Sequence, residues 1–217
     1  MATAQAVYNM AAPRYVQFVG TEISTATEGP IDRAVLVAFV ELINGRTVGR
    51  VADVGCGPGR VAAFMTEHGL DVIGLDVSQA MLAVARTAHP QIKLEEGRLD
   101  ALPIATGALA GAVCWYSIIH TPLAELPVVF DEFRRAMAPG GYLLVGIHVG
   151  TGTLRVTQSY GHDVSVELQL LRPEEVTVLL ESCGFSIVAT LSRAPEGRER
   201  RPQAFVLARR TGERRPA

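Results

Sequence analysis

Residues 51–60 read V-A-D-V-G-C-G-P-G-R, an apolar strand that ends near an acidic residue and continues directly into a turn with three glycines. Gly55, Gly57 and Gly59 stand at alternate positions, and each lacks the Cβ that would keep a ligand away from the backbone. The helix-compatible sequence that follows directs the free amides of its first turn toward the same place. The junction predicts a ligand site, although its G-x-G-x-G spacing differs from the G-x-G-x-x-G of dinucleotide sites.

Short apolar runs alternate with helical stretches after this junction. This alternation predicts repeated βα units with buried, mostly parallel strands, which is a doubly wound α/β fold with helices on both faces of the sheet. Ligands of such folds bind at the carboxyl ends of the strands. The candidate strands are 50–54, 72–75, 92–95, 111–116 and 142–148, and the candidate helices are 60–68, 78–88 and 123–137.

The two ends of the chain predict additional elements. Apolar residues of 4–20 fall on one helical face interrupted by Pro13, and a second helix is predicted over 31–43, where Asn44 and Gly45 end it. We expect one domain with five parts. They are a helical cap (1–45), a core (46–149), an inserted hairpin or irregular flap (150–172), a helix over 173–183 with strands at 185–191 and 203–208 (173–210), and a tail (211–217).

Composition limits the class of protein. At 217 residues the chain has the length of one compact domain. It lacks an apolar run of the ~18 residues that a membrane span needs and lacks a secretory signal, so we expect a cytoplasmic protein. The net charge of −2 argues against a broad nucleic-acid surface. Cys56, Cys114 and Cys183 show no C-x-x-C spacing, so neither a disulfide framework nor a metal site is expected.

The pattern D-x-G-x-G-x-G at the end of a first strand resembles the first motif of the class I S-adenosylmethionine-dependent methyltransferases. The resemblance implies that the turn surrounds the methionine part of the cofactor and contacts it through the backbone of Gly55, Cys56, Gly57 and Gly59. It also implies that Asp53 orients the turn and the ammonium group of the cofactor, directly or through water.

The second predicted strand ends in Asp76, 21 residues after Gly55. A carboxylate at this position can accept two hydrogen bonds from ribose hydroxyls, as in dinucleotide-binding βαβ units. Its alternative role is to cap the next helix, but Ser78 can cap that helix alone. We therefore predict that Asp76 binds the ribose and that Val77 and Met81 line the same part of the site.

The segment E-G-R-L-D-A-L-P resembles the family's G-D-A-x-x-L-P segment after the third strand, where an acid usually accepts a hydrogen bond from the adenine amino group. Arg98 holds the position of that acid, and an arginine cannot accept such a bond. Either backbone groups of Arg98 and Leu99 read the adenine together with apolar packing, or Asp100 substitutes for the acid. We favour the backbone groups.

The fourth strand ends in A-V-C-W-Y-S-I-I-H-T-P. The resemblance places Trp115, Tyr116 and Ser117 beside the sulfonium and the adenine, and an aromatic face can stabilise a sulfonium cation as it does an ammonium ion. Trp115 has the equal alternative of a core residue at a strand end.

The phrase E-F-R-R-A-M-A-P-G-G-Y-L-L-V resembles the family's helix that ends in x-L-x-P-G-G-x-L before the fifth strand, with Met137 in the leucine position. The match covers residues 51–149 well and the final hairpin loosely. It implies a mostly parallel, seven-stranded sheet whose last strand is antiparallel, preceded by an N-terminal helical cap.

Methyl transfer from a sulfonium is an in-line displacement, so the protein mainly aligns the reactants, and no metal is obligatory. An oxygen or thiol acceptor benefits from a base that removes its proton. The candidate bases are His120 after the fourth strand, His148 near the end of the fifth strand, and Tyr160 and His162 in the flap, where the family builds its acceptor pocket. His120 has a structural role as its alternative.

The N-terminal segment resembles the family's Y-x-x-x-A-x-x-Y lid, so Tyr8 is expected to help cover the cofactor.

These observations predict a methyltransferase that uses S-adenosylmethionine, without a metal, to modify an O, S or N atom of a small molecule. The W-Y-S-I exit of the fourth strand lacks the N/D-P-P-Y/F sequence of enzymes that methylate amide or exocyclic amine nitrogen. We expect a monomer or homodimer that binds neither membranes nor nucleic acid. The alternatives are a nicotinamide oxidoreductase, a cofactor-binding regulatory protein without catalysis, and a methyltransferase for RNA or protein.

Overall fold

In the computed structural model, which describes residues 4–46, 49–159, 161–197 and 199–212, helices and strands alternate as the sequence predicts. The α-helices are α1 (Ala4–Val19), α2 (Pro30–Arg46), α3 (Arg60–Glu67), α4 (Gln79–Ala88), α5 (Leu126–Ala136) and α6 (Pro173–Ser182). The strands are β1 (Arg50–Val54), β2 (Val72–Asp76), β3 (Lys93–Glu96), β4 (Leu109–Trp115), β5 (Met137–His148), β6 (Thr153–Ser159), β7 (His162–Gln169), β8 (Phe185–Arg193) and β9 (Gln203–Arg210).

Seven of these strands form one sheet in the order β3-β2-β1-β4-β5-β9-β8, and β6 and β7 form a separate hairpin. Strands β1 to β5 pair in parallel, whereas β9 runs antiparallel to both β5 and β8. The predicted seven-stranded sheet with an antiparallel last strand is therefore confirmed. The strand order reverses beside β1, between β1 and β4, which is where a doubly wound sheet binds its ligands.

The sheet is buried on both faces, which explains why its central strands are continuous apolar runs. Helices α5 and α6 pack on one face of the sheet, and α2, α3 and α4 pack on the other. Helix α5 contributes an apolar stripe at helical spacing, which consists of Leu126, Val129, Phe130, Phe133 and Ala136. No described helix combines the length and the apolarity that a transmembrane span requires.

Several predicted boundaries were wrong. Helix α1 continues through Pro13, and α2 continues through Gly45 to Arg46. Packing outweighs local propensity in both helices, because α1 buries Val7 and Ala11 against the rest of the protein. Strand β5 begins at Met137 rather than at residue 142, since its first residues extend the pairing toward the start of β4.

We predict that Gly111→Ala lowers the free energy of unfolding by roughly 1–3 kcal/mol, because a Cβ at Gly111 would lie 2.6 Å from Ile43 Cδ1 and 2.8 Å from the carbonyl oxygen of Tyr142. The matched control is Gly45→Ala, where no atom lies within 4 Å of the added Cβ and helix propensity favours alanine. Urea unfolding measures both variants. Equal stability of the two variants would contradict the packing argument.

Candidate functional site

The glycine turn between β1 and α3 has the conformation that its sequence demands. Gly55, Gly57 and Gly59 have φ angles of 77°, 54° and 86°, which lie in the left-handed region that favours glycine. A Cβ at Gly55 would lie 2.2 Å from the Cβ of Ser117, so glycine is needed there for close packing between the ends of β1 and β4. At Gly57 no atom lies within 4 Å of such a Cβ, and this residue lines the cleft.

The amides of the turn bond mainly within the protein. Gly55 N and Cys56 N both donate to the carbonyl oxygen of Leu75, at 2.7 and 3.0 Å, and Gly57 N donates to Asp76 Oδ2 at 2.8 Å. The expected backbone contacts of Gly55 and Gly57 with a ligand therefore have to come from their carbonyl groups and Cα atoms, or from amides that share their hydrogen bond.

Asp76 joins two turns of the backbone at the end of β2. Its Oδ2 accepts from Gly57 N, and its Oδ1 accepts from Ser78 N at 2.7 Å. Burial raises the pKa of Asp76, and these backbone bonds oppose the shift. Ser78 caps α4 with its own hydroxyl, which accepts from Met81 N at 3.2 Å. The Asp76 carboxylate retains lone pairs for further donors, and it lines the cleft.

Asp53 lies beneath the turn and does not line the cleft. Its Oδ2 accepts from Ala62 N at 2.9 Å, so the carboxylate attaches β1 to the first turn of α3. Its Oδ1 is buried without a hydrogen-bond partner. Burial raises the pKa of Asp53 to about 7, the Ala62 bond opposes this shift, and the nearby charge of Asp76 adds to it.

Cys56 and Gly59 also lie below the cleft surface. The Cys56 thiol packs over Gly74, where an added Cβ would lie 3.0 Å from Sγ, and burial raises its pKa well above the usual value. Gly59 faces the ring of His89, because a Cβ on it would be 3.0 Å from the imidazole Cδ2. Together with Asp53, these two residues support the turn from below, and direct contact with a cofactor stays a prediction.

The predicted adenine end of the cleft contains Val77, Met81, Arg98 and Leu99. Arg98 donates two hydrogen bonds to the Asp100 carboxylate, at 2.9 and 2.8 Å, and this ion pair is exposed. Both oxygens of Asp100 are thus engaged by Arg98, which lowers the pKa of Asp100. Reading of the adenine by backbone groups of Arg98 and Leu99 stays a prediction.

The exit of β4 forms an aromatic wall of the cleft. Trp115 stacks on Phe205, with ring centroids 4.8 Å apart, and its indole Nε1 is buried without a partner. Tyr116 has a positive φ of 57°, a strained conformation for a residue with a Cβ, and it stacks on His148 at 4.9 Å. Trp115 therefore packs in the core and lines the cleft at the same time.

Ser117 and His120 follow on the same exit. The Ser117 hydroxyl donates to the carbonyl oxygen of Val54 at 2.6 Å, so it fixes the packing of β4 against β1. His120 Nε2 lies 3.0 Å from the Tyr8 hydroxyl, and its Nδ1 is buried without a hydrogen-bond partner. Burial is the largest cause that lowers the pKa of His120, to about 4.

Helix α1 covers the cleft, as the lid-like sequence predicts. In addition to the contact of Tyr8 with His120, Gln5 Nε2 donates to the carbonyl oxygen of Val77 at 2.8 Å. Asn9 Oδ1 accepts from the Ser78 hydroxyl at 2.7 Å. These bonds attach α1 to the ends of β2 and β4, the two strands that carry the predicted cofactor residues.

The hairpin β6–β7 forms another wall, to which Val166, Glu167 and Gln169 contribute. Of the hairpin and the irregular flap that the sequence left open, the structure contains the hairpin. Tyr160 lies outside the described residues, and so does the side chain of His162, whose backbone begins β7. The predicted roles of both residues as bases stay predictions.

Buried ion pairs that the sequence analysis missed hold the remaining wall. Arg60 at the start of α3 pairs with Glu28, with both side chains at most 10% exposed. Arg193 at the end of β8 binds both oxygens of Asp32, at 2.6 and 2.7 Å, and also binds Glu199. No spacing in the sequence signals these pairs, because their partners are far apart along the chain.

These groups line one continuous cleft of about 1290 Å³ at the carboxyl ends of the parallel strands. Within the described part of the chain, no group of three or more His, Cys, Asp or Glu side chains has a geometry that could hold a metal ion. The predicted residues that do line the cleft are Tyr8, Gly55, Gly57, Asp76, Val77, Met81, Arg98, Leu99, Trp115, Tyr116, Ser117, His120 and His148.

Known proteins are similar to this chain in sequence and in fold. Residues 51–141 match the family model described as a methyltransferase domain. A probable S-adenosylmethionine-dependent methyltransferase of Mycolicibacterium smegmatis is 32% identical over 150 residues, which are 67% of this chain and 56% of that protein. A malonyl-acyl carrier protein O-methyltransferase of Enterobacter lignolyticus is 28% identical over 138 residues, 64% of this chain and 50% of that protein. The chain thus spans about half the length of these curated relatives.

Among solved structures, magnesium protoporphyrin IX methyltransferase from Synechocystis PCC 6803 with bound S-adenosylmethionine has a TM-score of 0.69 to this chain at 16% identity and covers 95% of each chain. The strand order and the glycine turn therefore define a Rossmann-like fold of the methyltransferase type. The chain belongs to the class I S-adenosylmethionine-dependent methyltransferases. This confirms the predicted fold and family, and with the family its cofactor, S-adenosylmethionine.

We predict that the free energy of unfolding of Asp53→Asn rises relative to that of the native protein as the pH increases from about 4 to about 7. A carboxyl whose pKa is raised by folding holds its proton more tightly in the folded state, so the native protein loses stability over this window. Asparagine removes this titration and can still accept from Ala62 N.

Urea unfolding of both proteins at several pH values measures this difference, which should reach about 1 kcal/mol or more at pH 7. The comparison is made between the two proteins because His120, whose pKa is lowered, works in the opposite direction. It removes stability as the pH falls from 6.5 toward 4. A difference that does not change with pH would contradict a raised pKa of Asp53.

Proposed function

We propose that this chain binds S-adenosylmethionine in the cleft and transfers its methyl group to an O, S or N atom of a small-molecule acceptor. The observation that carries this proposal is the glycine turn, where Gly57 faces open space directly beside the Asp76 carboxylate. A cofactor can reach the backbone at Gly57, and its ribose hydroxyls can donate to the remaining lone pairs of Asp76. The orphaned Oδ1 of Asp53 supplies a buried hydrogen-bond acceptor beneath the turn.

The cofactor supplies an activated methyl group on a positively charged sulfur. The residues of this chain would hold it between the glycine turn, Asp76 and the aromatic wall, and α1 would keep water out from above. The cleft exceeds the roughly 300–1,000 Å³ of a site for one drug-sized ligand. This volume leaves space for an acceptor beside the cofactor, and Tyr116 and His148 are among the residues that line it.

Charge in the cleft favours a neutral acceptor over an anionic one. Three arginines line the described cleft, and each is already paired: Arg60 with Glu28, Arg98 with Asp100, and Arg193 with Asp32 and Glu199. A carboxylate or phosphate substrate would have to displace one of these pairs. The same pairing disfavours a polynucleotide, whose phosphates need free basic groups.

The melting temperature of the protein with added ligand tests which cofactor it binds. We expect S-adenosylhomocysteine at about 100 times its Kd to stabilise the protein by about 2.7 kcal/mol, and so to raise Tm by at least ~5 °C, because it binds only the folded state. NADH at the same concentration should leave Tm unchanged. A shift with NADH and none with S-adenosylhomocysteine would favour the nicotinamide oxidoreductase over this proposal.

Calorimetric titration with S-adenosylhomocysteine tests the ribose assignment. We expect Asp76→Ala to weaken binding by at least ~1 kcal/mol, because a charged acceptor is lost and the turn amide of Gly57 loses its partner. Asp71→Ala is the matched control, since Asp71 is an exposed acid that pairs with Arg50 near the start of β1. Unchanged affinity of a folded Asp76→Ala protein would remove Asp76 from the cofactor site.

A further inference from the structure

His148 and Gln203 form a cross-strand pair at the carboxyl end of β5. The two residues stand directly opposite each other in the antiparallel pairing of β5 with β9. His148 Nδ1 lies 2.7 Å from Gln203 Oε1, and Gln203 is 2% exposed. His148 lines the cleft, so this pair places a buried amide behind an imidazole at the cleft wall.

The other end of the Gln203 amide fixes the orientation of this contact. Gln203 Nε2 donates to the carbonyl oxygen of Arg201 at 2.8 Å, so the amide oxygen, and not the nitrogen, faces His148. An amide oxygen only accepts hydrogen bonds, and therefore His148 Nδ1 must carry the proton. In the neutral ring, Nε2 then has a free lone pair.

The surroundings keep this ring neutral and fixed. Burial lowers the pKa of His148, while the bond to Gln203 and the charge of Glu199 oppose the shift and Arg201 adds to it. The Tyr116 ring stacks on the imidazole with an angle of 24° between the planes, which fixes the plane of the base. Among the described residues, the titratable or charged groups that face His148 are Tyr116 and His120 after β4, and Glu199 and Arg201 before β9.

His120 differs from His148 in its free nitrogen. The Tyr8 hydroxyl occupies Nε2 of His120, and Nδ1 of that ring is buried. His120 therefore offers no nitrogen to a molecule in the cleft while α1 is in place. Of the two histidines, only His148 combines an orienting partner on one nitrogen with a second nitrogen outside that contact, which is the arrangement of a general base.

We propose that His148 Nε2 receives the proton of the methyl acceptor and that Gln203 is the positioning residue that keeps this nitrogen unprotonated. This inference rests on the methyl-transfer function proposed above. It specifies the acceptor as a neutral molecule with an ionisable O–H or S–H group, since a carboxylate or a free amine reacts without losing a proton first.

In the transfer step, the acceptor's O–H or S–H bond breaks and its proton goes to His148 Nε2, while the oxygen or sulfur forms a bond to the methyl carbon. The bond from that carbon to the sulfonium breaks, and its electron pair stays on sulfur as S-adenosylhomocysteine. The imidazolium then returns its proton to water.

Nitrogen NMR of protein labelled with [15N]histidine and saturated with S-adenosylhomocysteine tests the tautomer without any acceptor. We expect His148, assigned by its absence in His148→Gln, to be protonated on Nδ1 and free on Nε2. Gln203→Leu should move the proton toward Nε2, whereas Gln203→Glu should retain it on Nδ1 and raise the pKa of His148. Gln91→Leu, an exposed glutamine before β3, should change nothing. Protonation of Nε2 in the native protein would overturn the proposal.

Transfer from S-adenosylmethionine with a labelled methyl group to phenol, thiophenol, benzylamine and benzoate, four small aromatic molecules with different nucleophiles, tests the catalytic role. We expect transfer to phenol or thiophenol, with kcat at least ~100-fold lower in His148→Gln. Gln203→Leu should lower kcat about tenfold, and Gln203→Glu should restore it and move the acid limb of the kcat profile to higher pH.

The affinity for S-adenosylhomocysteine should stay within about twofold in these variants, because neither residue belongs to the cofactor half of the cleft. Loss of that affinity in the native protein would reject the methyl-transfer function itself. Normal affinity with transfer that depends on His120 and not on His148, or transfer to benzoate alone, would reject only the present inference. The tautomer measurement decides between free and blocked Nε2 even when no member of the panel is methylated.

Discussion

The carboxylate of Asp76 accepts from the amides of two different turns, Gly57 after β1 and Ser78 after β2, and the cofactor half of the cleft depends on this arrangement. A buried carboxylate is costly unless donors surround it. The two amides are donors that the folded chain supplies itself, so the charge of Asp76 determines how the glycine turn lies against β2. Because the carboxylate still has free lone pairs, the group that shapes the site can also bind the ligand.

The wall of the cleft that contains Arg60 and Arg193 depends on contacts of another kind. The pair of Arg60 with Glu28 connects the segment before α2 to α3, and the pair of Arg193 with Asp32 connects the first turn of α2 to the end of β8. Replacing a buried ion pair by apolar residues is often neutral for stability, whereas removing one partner is strongly destabilising. These pairs thus contribute less to the total stability than to a defined position of the wall, and they leave the arginines without capacity for an anionic acceptor.

The sequence predicted the fold well where one local pattern decides the structure. Strands buried on both faces are continuous apolar runs, so β1 and β2 lie within one residue of the prediction. Glycines with positive φ and the hydroxyl cap at Ser78 depend only on neighbouring residues. The sequence therefore predicted the glycine turn and the start of α4. Pro13 and Gly45 misled the prediction, because contacts with distant residues keep their helices continuous.

The site was predictable only in its cofactor half. Asp76 and the glycine turn belong to one crossover unit, and their spacing along the chain is fixed by the length of that unit. Gln203 stands 55 residues after His148, and the pairing of β5 with β9 alone brings them together. No spacing rule covers such a pair.

The two histidines show why residue type alone cannot assign a base. Burial lowers the pKa of both imidazole rings, so both are neutral at pH 7. Residue type and protonation state therefore do not distinguish the two histidines. Their hydrogen-bond partners differ. The Tyr8 hydroxyl on α1 contacts Nε2 of His120, whereas the Gln203 amide on β9 contacts Nδ1 of His148. A hydrogen bond on one nitrogen of a neutral imidazole decides which nitrogen has the lone pair. The proposed role of His148 therefore depends on the pairing of β5 with β9, which lies outside the glycine-turn motif.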